Sequence, residues 1–141
     1  MNWIRGILAL VFGGVFVYAG AVKAADPSRF LIDIRSFDML PDPFAAWMAL
    51  GLPWLELLCG LAVILGVLRH GALLILNLAL VVFFVAIGIA KSRGLDIHCG
   101  CFGGADAASS YTGLFIRDGL LLVTGFTLMW LCRVRRVSVT A

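Results

Sequence analysis

Four apolar runs, separated by short stretches that hold most of the charges, set the pattern of this chain. They cover residues 6–22, 45–68, 71–90 and 113–132, and cations mark their ends: Arg5 and Lys23 around the first, then Arg69, Lys91 and Arg133 after the others. At about 1.5 Å per residue, runs of roughly 17 to 24 residues reach about 26 to 36 Å, enough to cross the hydrocarbon core of a bilayer. The pattern predicts spanning helices at about 4–23, 45–68, 71–90 and 113–132. The expected fold is all-α and integral to the membrane, one four-transmembrane-helix bundle over residues 1–141. Composition strengthens this picture. With 62% hydrophobic and 13% charged residues and a mean hydropathy of +1.07, too little polar sequence remains for a separate soluble domain.

The basic start of the first run and the small residues around Ala24 also suit a signal peptide. The run exceeds the usual signal core of about 7 to 15 residues, however, and Gly6, Ala9, Gly13 and Gly20 recur on one face as small packing residues do. A retained, packed helix is therefore expected. The formal charge of +3 comes from cations at helix ends, where they anchor to the interface, and gives no footprint for nucleic acid.

Four spans place both termini and the turn at 69–70 on one side, and the two longer loops on the other. Arg5, Arg69, Arg133, Arg135 and Arg136 then balance Lys23, Arg29, Arg35, Lys91 and Arg93, so the positive-inside rule ties. The dense cluster 133–136 tips the choice to cytoplasmic termini in an inner membrane, with Trp3 and Trp130 at one interface and Trp47 and Trp54 near the other. In the first loop, Phe30, Leu31, Ile34 and Phe37 predict a short amphipathic turn lying on the membrane.

The densest polar information lies in the second long loop, where Asp96, His98, Cys99, Gly100 and Cys101 fall within six residues. In this orientation Cys99 and Cys101 face the oxidising side, where a disulfide persists. A bridge across one residue closes a small ring, for which Gly100 supplies backbone freedom. Strain in such a ring raises its reduction potential and favours exchange with another thiol pair. Two other readings stay open. The cysteines could be free or form an inert clasp, as in a non-catalytic scaffold or assembly factor. A metal or small-molecule carrier could use the same loop, since thiolates suit Cu(I) or Zn, although ligands so crowded cannot easily surround a tetrahedral ion. No metal site is assigned.

Glu56 lies inside the second apolar run, three residues after Pro53. An ionisable group at that depth marks a functional site or a structural ion cluster. Lys23 and Arg117 stand at matching depth in the first and fourth spans, so the three are expected to form one charged cluster below the loop side. Cys59 and Cys132 are expected to pack as small apolar residues without pairing, Asn77 to hydrogen-bond between helices, and His70 to sit at the interface.

Residues along nearly the whole chain resemble one family. They are Tyr18-Ala19-Gly20-Ala21-Val22-Lys23 followed by Asp26-Pro27 and Phe30, then Met39-Leu40-Pro41, then Leu52-Pro53-Trp54-Leu55-Glu56 with Gly60, and finally Cys99-Gly100-Cys101-Phe102-Gly103. In order and spacing they are similar to the MauE family of methylamine-utilisation membrane proteins, related to DoxX. The resemblance implies a DoxX-like redox-associated membrane bundle with Cys99 and Cys101 as the catalytic pair. It also implies a thioredoxin-like partner of the MauD type, and an exported, disulfide-containing client such as the small subunit of methylamine dehydrogenase. The architecture also resembles disulfide-generating oxidases that use a quinone. Those carry more than one exposed cysteine pair, so a quinone is admitted here without being implied.

Overall fold

The structure, a computed structural model, describes residues 2–95 and 111–140, with side chains described for 3–95 and 112–134. It contains five helices in this region: α1 (Asn2–Ala25), α2 (Pro27–Ser36), α3 (Phe44–Leu65), α4 (Arg69–Ser92) and α5 (Tyr111–Thr140). No strand occurs among the described residues. Four of the helices hold apolar spans of 22 to 24 residues, at Trp3–Ala25, Phe44–Leu65, Arg69–Ser92 and Thr112–Val134, long enough to cross a bilayer. The protein is an all-helical, multi-pass membrane bundle.

The spans expose large apolar side chains around their outer faces, among them Trp3, Leu10, Trp54, Leu78, Val82, Leu120 and Trp130. In water such a surface would drive association; in a bilayer it is the face that lipid covers. The inner faces meet in a core of Ala9, Phe12, Phe16, Cys59, Val63, Leu73, Leu76, Leu80 and Leu128. With lipid outside, little hydrophobic force separates inside from outside, and close van der Waals packing must hold the helices.

That packing is tightest between α1 and α3, the most extensive helix pair, which run antiparallel. A Cβ on Gly13 would lie 2.7 Å from the Gly60 carbonyl, and one on Gly60 would lie 2.8 Å from the Gly13 carbonyl. One on Gly20 would fall 2.7 Å from the Pro53 carbonyl. Hydrogen is the only substituent these three crossings admit. The expected small-residue face is thus present at Ala9, Gly13 and Gly20. Gly6 departs from it, being exposed with nothing within 4 Å of its Cβ position.

The turn between the second and third spans falls at residues 66–68, earlier than the expected 69–70. Gly66 ends α3 with φ of 78° and Leu68 begins α4 with φ of 47°. A left-handed glycine is a common helix stop, but its neighbours here are Val67 and Leu68, which read as a continuing apolar run.

The first long loop is mostly helical. Asp26 caps α2 by accepting a hydrogen bond from the Arg29 amide at 3.1 Å, and Pro27 fills the first turn, where its missing N–H is no loss. Phe30 and Ile34, expected on the membrane surface, are buried against Ala45 and Ala49 of α3. The amphipathic face closes on the bundle because those alanines leave room for it.

Asn77 also departs from expectation. Its amide nitrogen donates to the Leu73 carbonyl of its own helix at 2.8 Å, while its side-chain oxygen faces Gly125 of α5. Contact between the helices is made, but the hydrogen bond is intrahelical.

Candidate functional site

Lys23 stands in the last turn of α1 and Glu56 in the middle of α3. Side chains on a helix lean toward its N-terminus, so across an antiparallel pair these two lean toward each other. The close seat of Gly20 on Pro53 and Leu57 brings the backbones near enough for contact. Lys23 Nζ donates to both carboxylate oxygens of Glu56, at 2.9 and 2.8 Å, and the two side chains are only 3% and 4% exposed. Two aromatic rings complete the enclosure, Phe30 of α2 at 5.0 Å and Phe83 of α4 at 5.5 Å from the ammonium. The quadrupole of each ring favours a cation over its face.

Across a cavity of about 40 Å³ lies a second pair. Arg117 donates from Nε to Asp118 Oδ1 at 2.9 Å, with Nη2 at 2.8 Å from the same oxygen. Asp118 is 3% exposed and Arg117 28%, so this pair reaches from the interior toward the surface. Phe16, Ala19, Leu80, Phe83 and Leu121 form apolar walls around the four charges. One to a few water molecules fit such a volume, and charged groups supply the partners that a buried water needs.

Lys23, Glu56 and Arg117 therefore line one cavity, as their depth in the sequence predicts, with the ion pairing divided between Lys23–Glu56 and Arg117–Asp118. Asp118 was missed by the sequence reasoning. Its signal was available: it is an ionisable residue inside an apolar run, the same reason that singled out Glu56. Asp33 of α2 was missed too, and it is buried. One of four aspartates in the first long loop, it gave no comparable signal.

Cys59 and Cys132 are buried free thiols in the main core. Cys132 also accepts from Arg5 Nη2 at 3.6 Å, which fastens α5 to the start of α1. Cys99 and Cys101, with Asp96 and His98, lie outside the described residues. The chain leaves α4 after Ser92 and enters α5 at Tyr111, and Arg117 and Asp118 stand in the second turn of α5. Among the described residues, no group of three or more His, Cys, Asp and Glu side chains could hold a metal ion.

The profile of the family described as methylamine utilisation protein MauE matches residues 1–131. The chain belongs to the MauE family. A methylamine utilization protein MauE from Methylorubrum extorquens is 31% identical over 131 residues, covering 92% of this chain and 68% of that protein. Another of the same name from Methylophilus methylotrophus is 32% identical over 97 residues, which cover 67% of this chain and about half (51%) of that protein. No solved structure matches. The family match spans Lys23, Glu56, Cys99, Cys101, Arg117 and Asp118, so the charged cavity and the cysteine loop both fall inside it.

Proposed function

We propose that this MauE-family chain is a membrane thiol–disulfide redox protein in which Cys99 and Cys101 cycle between dithiol and disulfide. Its partner is a thioredoxin-like protein of the MauD type, and its purpose is disulfide formation in an exported client. In methylamine-using bacteria the small subunit of methylamine dehydrogenase would be such a client. The loop faces the outer side of an inner membrane and the termini are cytoplasmic.

The observation that carries this reading is the placement of buried charge. Opening or closing a disulfide moves protons as well as electrons, so ionisable groups at the same end of the bundle can take part in the exchange. Glu56 and Asp118 are carboxylates, each paired with a cation, and both line one cavity under the end of the bundle that carries the cysteine loop. In this reading Lys23 and Arg117 position the carboxylates, and Arg117 links the cavity to the surface.

A cysteine pair of this kind resolves its own mixed disulfide, and each single variant loses that step. Cys99→Ser or Cys101→Ser in cells should accumulate a covalent adduct with a thioredoxin-like protein, seen as a reductant-sensitive shift on a gel and identified by mass. The double variant should insert normally and form no adduct. Cys59→Ser and Cys132→Ser should behave as wild type, because both thiols are buried in the core. A double variant that still supports full client maturation would leave only the scaffold reading.

A further inference from the structure

Beside the charged cavity lies a larger groove of about 250 Å³ between α2, the link after it, α3 and α4. Phe30, Ile34, Phe37, Leu40, Met48 and Val82 give it apolar walls. Asp33, more than nine-tenths buried, adds the single carboxyl group of its lining. Two features define what can enter. Val82 lies midway along a membrane span and is half exposed, so the mouth opens to the region that lipid occupies. The ligand must therefore be lipid-soluble. The carboxyl group among apolar walls, in turn, matches a ligand with a polar, hydrogen-bonding ring head, and it gives a plain hydrocarbon chain nothing to bond.

We propose that this groove binds the ring of a lipid-soluble quinone, which accepts the electrons of the cysteine pair. The inference rests on the redox reading above, which, run toward client oxidation, requires a two-electron acceptor. A partner dithiol reduces the Cys99–Cys101 disulfide and leaves as a disulfide. The resulting dithiol must then lose two electrons and two protons to close again. A quinone takes both, its two carbonyl oxygens becoming the hydroxyls of a quinol while the sulfur–sulfur bond re-forms. Asp33 supplies the hydrogen-bonding carboxyl group of the wall against which the ring would lie.

The position of the groove fits the same cycle. Phe83 lines both the groove and the charged cavity, and the Lys23 ammonium lies over the rings of both Phe30 and Phe83. Phe37, a wall of the groove, packs in the same cluster as Leu95, four residues before Cys99. Arg93 donates to the Asp38 carbonyl at 3.2 Å, which ties the end of α4 to the link after α2.

Decylubiquinone titrated into the full chain in detergent tests the proposal. Wild type should bind it saturably, and the Cys99→Ser/Cys101→Ser double variant should bind equally well, because the groove contains neither thiol. Val82→Trp, which fills the mouth from an exposed position, and Asp33→Asn should each weaken binding about tenfold, equivalent to ~1.4 kcal/mol. Val85→Trp, equally exposed on α4 but outside the groove, should leave affinity unchanged. Reduced wild type should yield one quinol per disulfide closed. Absent binding, affinity indifferent to Val82→Trp and Asp33→Asn, or a co-purified phospholipid chain that decylubiquinone does not displace would overturn the site. Groove-dependent binding without quinol formation would uphold the site and overturn the redox reading beneath it.

Discussion

Glu56→Ala is expected to lower the melting temperature in detergent sharply, because it leaves the Lys23 ammonium enclosed at 3% exposure with its carboxylate removed. Breaking a buried pair from one side costs about 3 to 5 kcal/mol, chiefly the penalty of the stranded charge. The two flanking rings offset only a part, since a cation–π contact contributes roughly 0.5 to 2 kcal/mol. Asp42→Ala gives the scale for an ordinary ion pair. Arg35 and Asp42 meet at 2.7 Å but are 51% and 54% exposed, and such pairs contribute about 0 to 1 kcal/mol. A double change, Lys23→Met with Glu56→Leu, should recover most of the lost stability, because no charge then remains unpaired. Equal melting temperatures for Glu56→Ala and Asp42→Ala would remove the buried pair from the account.

Gly60→Val carries the other large effect, and it acts through the backbone. Its new Cβ would lie 2.8 Å from the Gly13 carbonyl and 3.0 Å from the Val17 amide, so α1 must move away from α3 as a unit. Overpacking a tight contact costs typically about 1 to 3 kcal/mol. Here the separation also draws Lys23 off Glu56, and the two losses combine. Gly51→Val is the matched control, since nothing lies within 4 Å of its Cβ position on the same helix. Thermal melting and reactivity of a cysteine pair placed across the crossing both read the separation. Identical behaviour of the two variants would contradict the close crossing.

The four spans were legible because bilayer thickness imposes a length on each helix, and the cations at the ends of the runs report it. Depth in the membrane is legible for the same reason. Lys23, Glu56 and Arg117 could be placed in one layer from their distances to the loop side, and they line one cavity. Local geometry was harder. The 66–68 turn carries no polar punctuation, so the apolar run concealed a stop set by two left-handed backbone angles. The folding of α2 onto α3 depends on Ala45 and Ala49 being small, which only a known pairing of helices makes meaningful. Depth also cannot say which carboxylate a cation chooses: Arg117 meets the side chain next to it, Asp118, and shares the cavity with Glu56. For Asn77, the free choice between a carbonyl one turn back and a partner helix was settled by the closeness of Gly125, which presents no side chain to bond.

The central claim is that Cys99 and Cys101 exchange, and the most direct measurement is their redox titration. Protein held in native membranes would be equilibrated across a series of glutathione buffers, denatured, alkylated and weighed. Cys59 and Cys132 should take alkyl groups at every ratio, as free thiols in the structure do once unfolded. Cys99 and Cys101 should gain theirs together, in one transition at a potential above about −300 mV, where exchange-active bridges lie and structural disulfides do not. A pair that stays bridged at every ratio, or never bridges at all, would contradict the account.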